Sequence, residues 1–123
     1  MQEIYNEFTL WLEKNLINLD ETNINSYCFN LYEDDTSYHV QLIGSSSTPE
    51  EDEDDWACDE VYSTHEDIFI IKKEVAGENW ENGLDFSTNL VKKYIEAGKY
   101  SNILKRKNCL GIGFVDGDIE IIY

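Results

Sequence analysis

Eight carboxylates fall within the eleven positions 50–60: Glu50, Glu51, Asp52, Glu53, Asp54, Asp55, Asp59 and Glu60, with Trp56, Ala57 and Cys58 among them. Side chains crowded in this way can hold a cation, exchange protons, or face a positively charged macromolecule. A calcium loop needs ligands at fixed offsets and a glycine for its sharp turn, and this stretch has neither the D-x-D-x-D-G pattern nor any Gly. Cys58, His65, Cys109 and His39 are ligand types that zinc accepts. None is paired at the short spacings of a structural site, so no metal or other cofactor is called for. Asp59, Glu60, His65, Glu66 and Asp67 could supply an acid and a base, with Cys58 as a thiol nucleophile. The surrounding negative potential opposes thiolate formation, however, and there is no Gly-rich phosphate loop, nucleophile elbow or paired-histidine motif.

The remaining use of the run is electrostatic. The 123-residue chain carries 26 acids against 9 bases, a net charge of −17. The first sixty residues hold sixteen of those acids and a single base, Lys14, while Lys92, Lys93, Lys99, Lys105, Arg106 and Lys107 come late. The molecule is therefore a dipole whose field repels a nucleic-acid backbone and attracts a cationic protein. Trp56 has two readings. Facing outward, it supplies a desolvated anchor within a charged surround, as in tight interfaces; facing inward, it pins the loop to the core.

The elements that position this segment follow from periodicity. Ile4, Phe8, Trp11, Leu12, Leu16 and Leu19 recur every three or four residues and predict an amphipathic helix. Residues 24–33 and 38–43 alternate, with Tyr27, Phe29 and Leu31 on one face of the first strand and Tyr38, Val40 and Leu42 on one face of the second. The polar stretch 33–37 reads as their hairpin turn. Residues 44–60 have no apolar period until Trp56 and read as an exposed acidic loop. A short strand is expected at Val61 and Tyr62, and a central strand covered on both sides at Ile68–Ile71. Asn79 caps a second helix running from Trp80 through Leu84, Ser87, Val91, Tyr94 and Ile95 to Gly98, which suits a left-handed turn.

Asp116-Gly117 reads as a two-residue hairpin turn, placing Phe114 opposite Ile119, Ile112 opposite Ile121 and Leu110 opposite Tyr123 on a core face. Gly111 and Gly113 leave the other face bare, which means either a bend or the close approach of another element. Together these elements predict a single α+β domain over 1–123. Its sheet is mostly antiparallel, of about five strands, with two helices packed on one face. Three cysteines at wide separations, Cys28, Cys58 and Cys109, read as free thiols rather than a disulfide framework. No segment approaches the length of a membrane span, and the amino terminus lacks an export-signal pattern, so a cytoplasmic protein is expected.

The segment Glu50-Glu51-Asp52-Glu53-Asp54-Asp55-Trp56-Ala57-Cys58-Asp59-Glu60, the closing Gly111-Ile112-Gly113-Phe114-Val115-Asp116-Gly117-Asp118-Ile119-Glu120 hairpin and the small size resemble bacterial immunity proteins. These are the cognate inhibitors encoded beside polymorphic toxins, which are often cationic nucleases. The resemblance implies noncatalytic, stoichiometric binding of a basic toxin whose substrate cleft the acidic face would occlude. Asp52, Asp54, Asp55, Trp56, Asp59 and Glu60 are the expected contacts. An acidic adaptor in another bacterial or phage assembly would use the same surface. A small enzyme would instead need Cys58, His65 and acids gathered in one pocket.

Overall fold

A computed structural model describes residues 2–53 and 55–123. Helix α1 (Gln2–Leu16) buries Phe8, Trp11, Leu12 and Leu16 along the expected stripe. Strands β1 (Ser26–Glu33) and β2 (Ser37–Ser45) form an antiparallel hairpin with Phe29 opposite Leu42 and Leu31 opposite Val40. Its turn is closed by the Asp34 carboxylate, which accepts from the amides of Thr36 at 2.8 Å and Ser37 at 2.7 Å. Those two bonds are the main reason the Asp34 carboxyl is held below the usual aspartate range.

After β2 come a single 3-10 turn (Trp56–Cys58) and two short strands, β3 (Glu60–Ser63) and β4 (Phe69–Lys72). Both pair antiparallel with the same edge of β2, β3 near its end and β4 near its start. Helices α2 (Lys73–Ala76), α3 (Trp80–Ala97) and α4 (Ser101–Lys105) follow, then β5 (Cys109–Phe114) and β6 (Glu120–Ile121). The Asn79 side chain accepts from the Asn82 amide at 3.0 Å, so the α3 cap is as read from the sequence. Gly98 differs. Its φ of −72° is ordinary, and its lack of a side chain serves space instead, since a Cβ there would meet the Tyr94 ring at 2.4 Å.

The fold is α+β, but the sheet is mixed: among the described residues it has six strands, and there are four α-helices. Four of the five strand pairings are antiparallel, as expected, but the central one is not: β1 and β5 run parallel, Phe29 beside Ile112. A parallel neighbour needs a long crossover, and the α2–α3–α4 segment supplies it. Helices α2 and α4, of four and five residues, are too short to leave a period in the sequence. The expectation of a central, doubly covered strand at 68–71 is also corrected. β4 lies at the edge beside β2, its residues alternate between buried and exposed, and Ile70 is 51% exposed. An apolar run can arise on an edge strand, and nothing local separates the two cases.

The inner face of the sheet gathers Tyr27, Phe29, Leu31, Tyr38, Val40, Leu42, Phe69, Ile71, Leu110, Ile112 and Phe114 into one core with residues of α1, α3 and α4. Phe8 packs on Phe69 edge to face with ring centres 5.4 Å apart, and the Trp11 indole donates to the Asp67 carbonyl at 2.8 Å. These contacts join α1 to β4 and the turn before it.

The carboxy-terminal hairpin exists in a different register. Gly111 lies opposite Ile121 and Ile112 opposite Glu120, one step from the expected pairing. A one-residue slip exchanges faces, so Ile121 and Tyr123 are exposed and Ile122 takes the core side. The connection is not a two-residue turn at 116–117. The Gly117 amide donates to the Phe114 carbonyl at 2.9 Å, and residues 118–119 then cross the outer sheet face. Gly113 permits that crossing: a Cβ there would lie 2.4 Å from the Asp118 carbonyl oxygen. Of the two readings of the glycine pair, close approach of another element is the one found.

Gly113→Ala is therefore expected to destabilise the protein by about 1–3 kcal/mol in urea denaturation, with faster amide exchange over 118–121. Gly117→Ala, where the nearest atoms to a Cβ are 3.8 Å away, should change the midpoint little. Equal stability of the two variants would contradict this packing.

Candidate functional site

The acidic segment leaves the sheet at Ser45 and returns as β3, so it is an elaborated connection between paired strands. The exposed loop expected over 44–60 is exposed at most of its described carboxylates but buried at Gly44, Ser45, Thr48 and Trp56. Ser45 is fully buried, and its hydroxyl donates to the Trp56 carbonyl while accepting from the Ser47 amide at 3.0 Å. Thr48, also buried, opens a tight turn in which the amides of Glu51 and Asp52 both donate to its carbonyl at 3.0 Å. The Asp52 carboxylate then accepts from the Asp55 amide at 3.1 Å, and the Cys58 amide donates to the Asp55 carbonyl at 2.9 Å. At the return, the Ser46 amide donates to the Asp59 carbonyl at 3.0 Å and the Ser47 hydroxyl donates to the Asp59 carboxylate. The serine and threonine run is thus the loop's fastening. Its type signals turn formation, but its burial depends on what lies beneath.

What lies beneath is decided by Trp56. The indole is only 3% exposed and rests on the outer sheet face against Cys28, Ile43 and Cys109, with Ala57 and Ile119 beside it. The expectation that Trp56 is a partner contact is corrected: burying the largest apolar side chain of the segment outweighs displaying it, so it is the pin. Gly111 makes room there, since a Cβ at that position would sit 3.1 Å from the indole.

The carboxylates take the opposite side. Glu50, Glu51, Glu53, Asp55, Asp59 and Glu60 are exposed and Asp52 is half-buried, while Asp54 lies outside the described residues. Among the described residues the ion pairs are Lys14–Asp67, Lys73–Glu33 and Arg106–Glu21, His39 contacts Asp34, and none of these uses a carboxylate of the segment 50–60. The described negative charge of the loop is therefore turned to solvent without an internal cation, on a backbone already fixed.

The residues with reactive side chains are dispersed. Cys58 is exposed on the 3-10 turn, whereas His65 sits with a positive φ of 53° in the turn between β3 and β4, where its carbonyl accepts from Gln41 at 2.8 Å. His39 lies on the outer sheet face, held by Asp34 at 2.9 Å. Neither of two open clefts involves Cys58 or His65. One, of about 520 Å³, lies between the end of α1 and β3, lined by Lys14, Leu19, Asp20 and Tyr62 among others. The second, of about 400 Å³, lies beside the β1–β2 turn, lined by Asp35, Lys72, Lys73 and Glu78 among others. Among the described residues no group of three or more His, Cys, Asp or Glu side chains is arranged to hold a metal ion.

All three cysteines are free, as read from the sequence, and Cys28 and Cys109 prove to be buried against the indole. Burial, with Cys109 nearby as a smaller cause, pushes the Cys28 thiol up to about 12. Burial likewise raises the Cys109 thiol. No helix of the described residues is long and apolar enough to cross a membrane.

No protein-family model matches the chain, and no curated protein or solved structure matches it significantly.

Trp56→Ala should cost about 3–5 kcal/mol of unfolding free energy and expose the loop to limited proteolysis, while leaving the helical circular dichroism in place. A loop that resists protease as well in the variant as in the parent would show that the indole is not what fastens it. Native protein should show one rapidly reacting thiol toward a disulfide reagent, Cys58, and three after unfolding. Because Cys28 is held neutral when folded, its contribution to stability is complete below its ordinary value of 9.0 and lost as pH rises toward about 12. Between pH 8 and pH 10.5 this contribution should fall by about 2 kcal/mol, and Cys28→Ala should show a correspondingly shallower alkaline loss in urea titrations.

Proposed function

We propose that this protein is a noncatalytic inhibitor of the bacterial immunity type, which binds a cognate basic toxin, a nuclease by preference, through its acidic loop. The observation that carries this reading is the separation of the loop into a buried indole and an outward layer of carboxylates that, among the described residues, have no internal counter-ion. Carboxylates held in place before encounter lose little conformational freedom on binding, and their field steers a cationic partner toward them. Asp52, Asp55, Asp59 and Glu60 are the contacts proposed within the described residues, with Asp54 proposed from the sequence. Such a surface lies across a toxin's phosphate-binding cleft by offering it carboxylates in place of phosphates, and one-to-one occlusion suffices without turnover.

Capture of binding proteins from the source cell should recover a basic protein at about 0.05 M salt and lose most of it at about 0.5 M. The Asp52→Lys, Asp55→Lys double variant should bind the recovered protein more slowly and with a flatter salt dependence than the parent. Coexpression of the parent, but not of the variant, should relieve that protein's toxicity. Undiminished capture by the variant at both salt concentrations would remove the basis of the proposal.

A further inference from the structure

Burial of Trp56 removes the apolar anchor that the acidic loop alone would have provided, but the same sheet face carries another. Strand pairing sets Tyr32 opposite His39 and His39 opposite Ile70. On the other side of Tyr32, β1 runs beside β5 with Leu31 next to Phe114, and the following residue, Val115, donates its amide to the Leu31 carbonyl at 3.1 Å. Val115, Tyr32, His39 and Ile70 therefore form one row across β5, β1, β2 and β4 on the outer face. Val115 and Ile70 are each 51% exposed and Tyr32 is 39% exposed, while the Trp56 plug covers only the neighbouring half of that face.

Negative charge lies at the Val115 end and along both sides of this row. Asp116 and Asp118 are exposed beside Val115, Asp34 and Asp35 stand in the turn beyond Tyr32 and His39, and the acidic loop occupies the adjoining half. Lys72, two positions beyond Ile70 on the same face and opposite Ser37, is the cation at that end. Apolar side chains flanking His39, bordered by carboxylates everywhere but at the Lys72 end, suit a cationic protein surface, whose lysine and arginine stems and apolar side chains cover them while their charged ends reach the acids. A second copy of a chain of net charge −17 would set acids against acids across the same contact.

Resting on the acidic-inhibitor reading, we infer that the Val115–Tyr32–His39–Ile70 row is the apolar centre of the interface with the basic partner and that the acidic loop forms one side of its rim.

Two peptides of about twelve residues and equal charge test this on the full chain, one alternating Arg and Leu and the other Arg and Ser, by calorimetry at low salt. The Arg–Leu peptide should bind about tenfold more tightly, and Ile70→Ser with Val115→Ser should abolish most of that preference while leaving Arg–Ser binding unchanged. Amide shifts of the unmodified protein with the Arg–Leu peptide should centre on residues 32, 39, 70 and 115, a readout independent of how the variant folds. Retention of the preference by a folded double variant, shifts centred elsewhere, or a dimer of the parent that the double variant abolishes would each overturn the inference. Equal binding of both peptides would sink it while leaving the acidic-surface reading intact. Absence of binding by either would sink both.

Discussion

The seating of the Trp56 indole on the outer face of the sheet is the contact on which the functional surface depends. Side chains from β1, β2 and β5 form its floor, with Ile119 at its side. Without it, a segment so rich in carboxylates would repel itself into an open chain. The balance can be weighed. Two exposed carboxylates about 7 Å apart repel by about 0.6 kcal/mol in water, and by less in salt, whereas removing a buried indole costs about 3–5 kcal/mol. One deeply placed aromatic, with the hydrogen bonds made by Ser45, Ser46 and Ser47 and those accepted by the Thr48 carbonyl, therefore offsets several like-charge contacts at the surface. Among the described residues no internal cation meets the loop's carboxylates, which stay in water, and the indole stays inside because an apolar floor is available.

That floor depends in turn on the mixed sheet. Cys109 and Gly111 reach the neighbourhood of Cys28 only because β5 returns parallel to β1 after the helical crossover. The same return brings the 118–119 segment over Gly113 and sets Ile119 against the indole. The two faces of the sheet consequently do different work. The inner face holds the main core under α1, α3 and α4. The outer face is half closed by the acidic loop and the carboxy-terminal segment, and half open along the Val115–Tyr32–His39–Ile70 row. The proposed binding surface spans the boundary between these halves.

Much of the local architecture was legible from residue order. The α1 stripe, the Asn79 cap, the β1–β2 hairpin and the strand at Val61–Tyr62 each rest on neighbours within a few positions. Periods of 3.6 and 2 and a capping side chain express interactions that close over short distances. For the candidate site, the concentration of carboxylates was equally plain. The direction of Trp56 was not, because both of its readings satisfy the same local pattern. Nor was the fastening role of Ser45 and Thr48, whose burial requires the sheet beneath them.

By itself, then, the sequence determined the α+β character, the position and sign of the charged segment, the main core stripe and the free state of the thiols. Tertiary structure alone decided the parallel β1–β5 pairing, the edge position of β4, the register of the last hairpin and the inward turn of the indole. The division has a physical cause. Each feature in the first group is fixed by composition or by contacts between near neighbours. Each in the second is a choice between locally equivalent states, resolved by burial against residues far along the chain, such as Cys109 for Trp56 and Asp118 for Gly113.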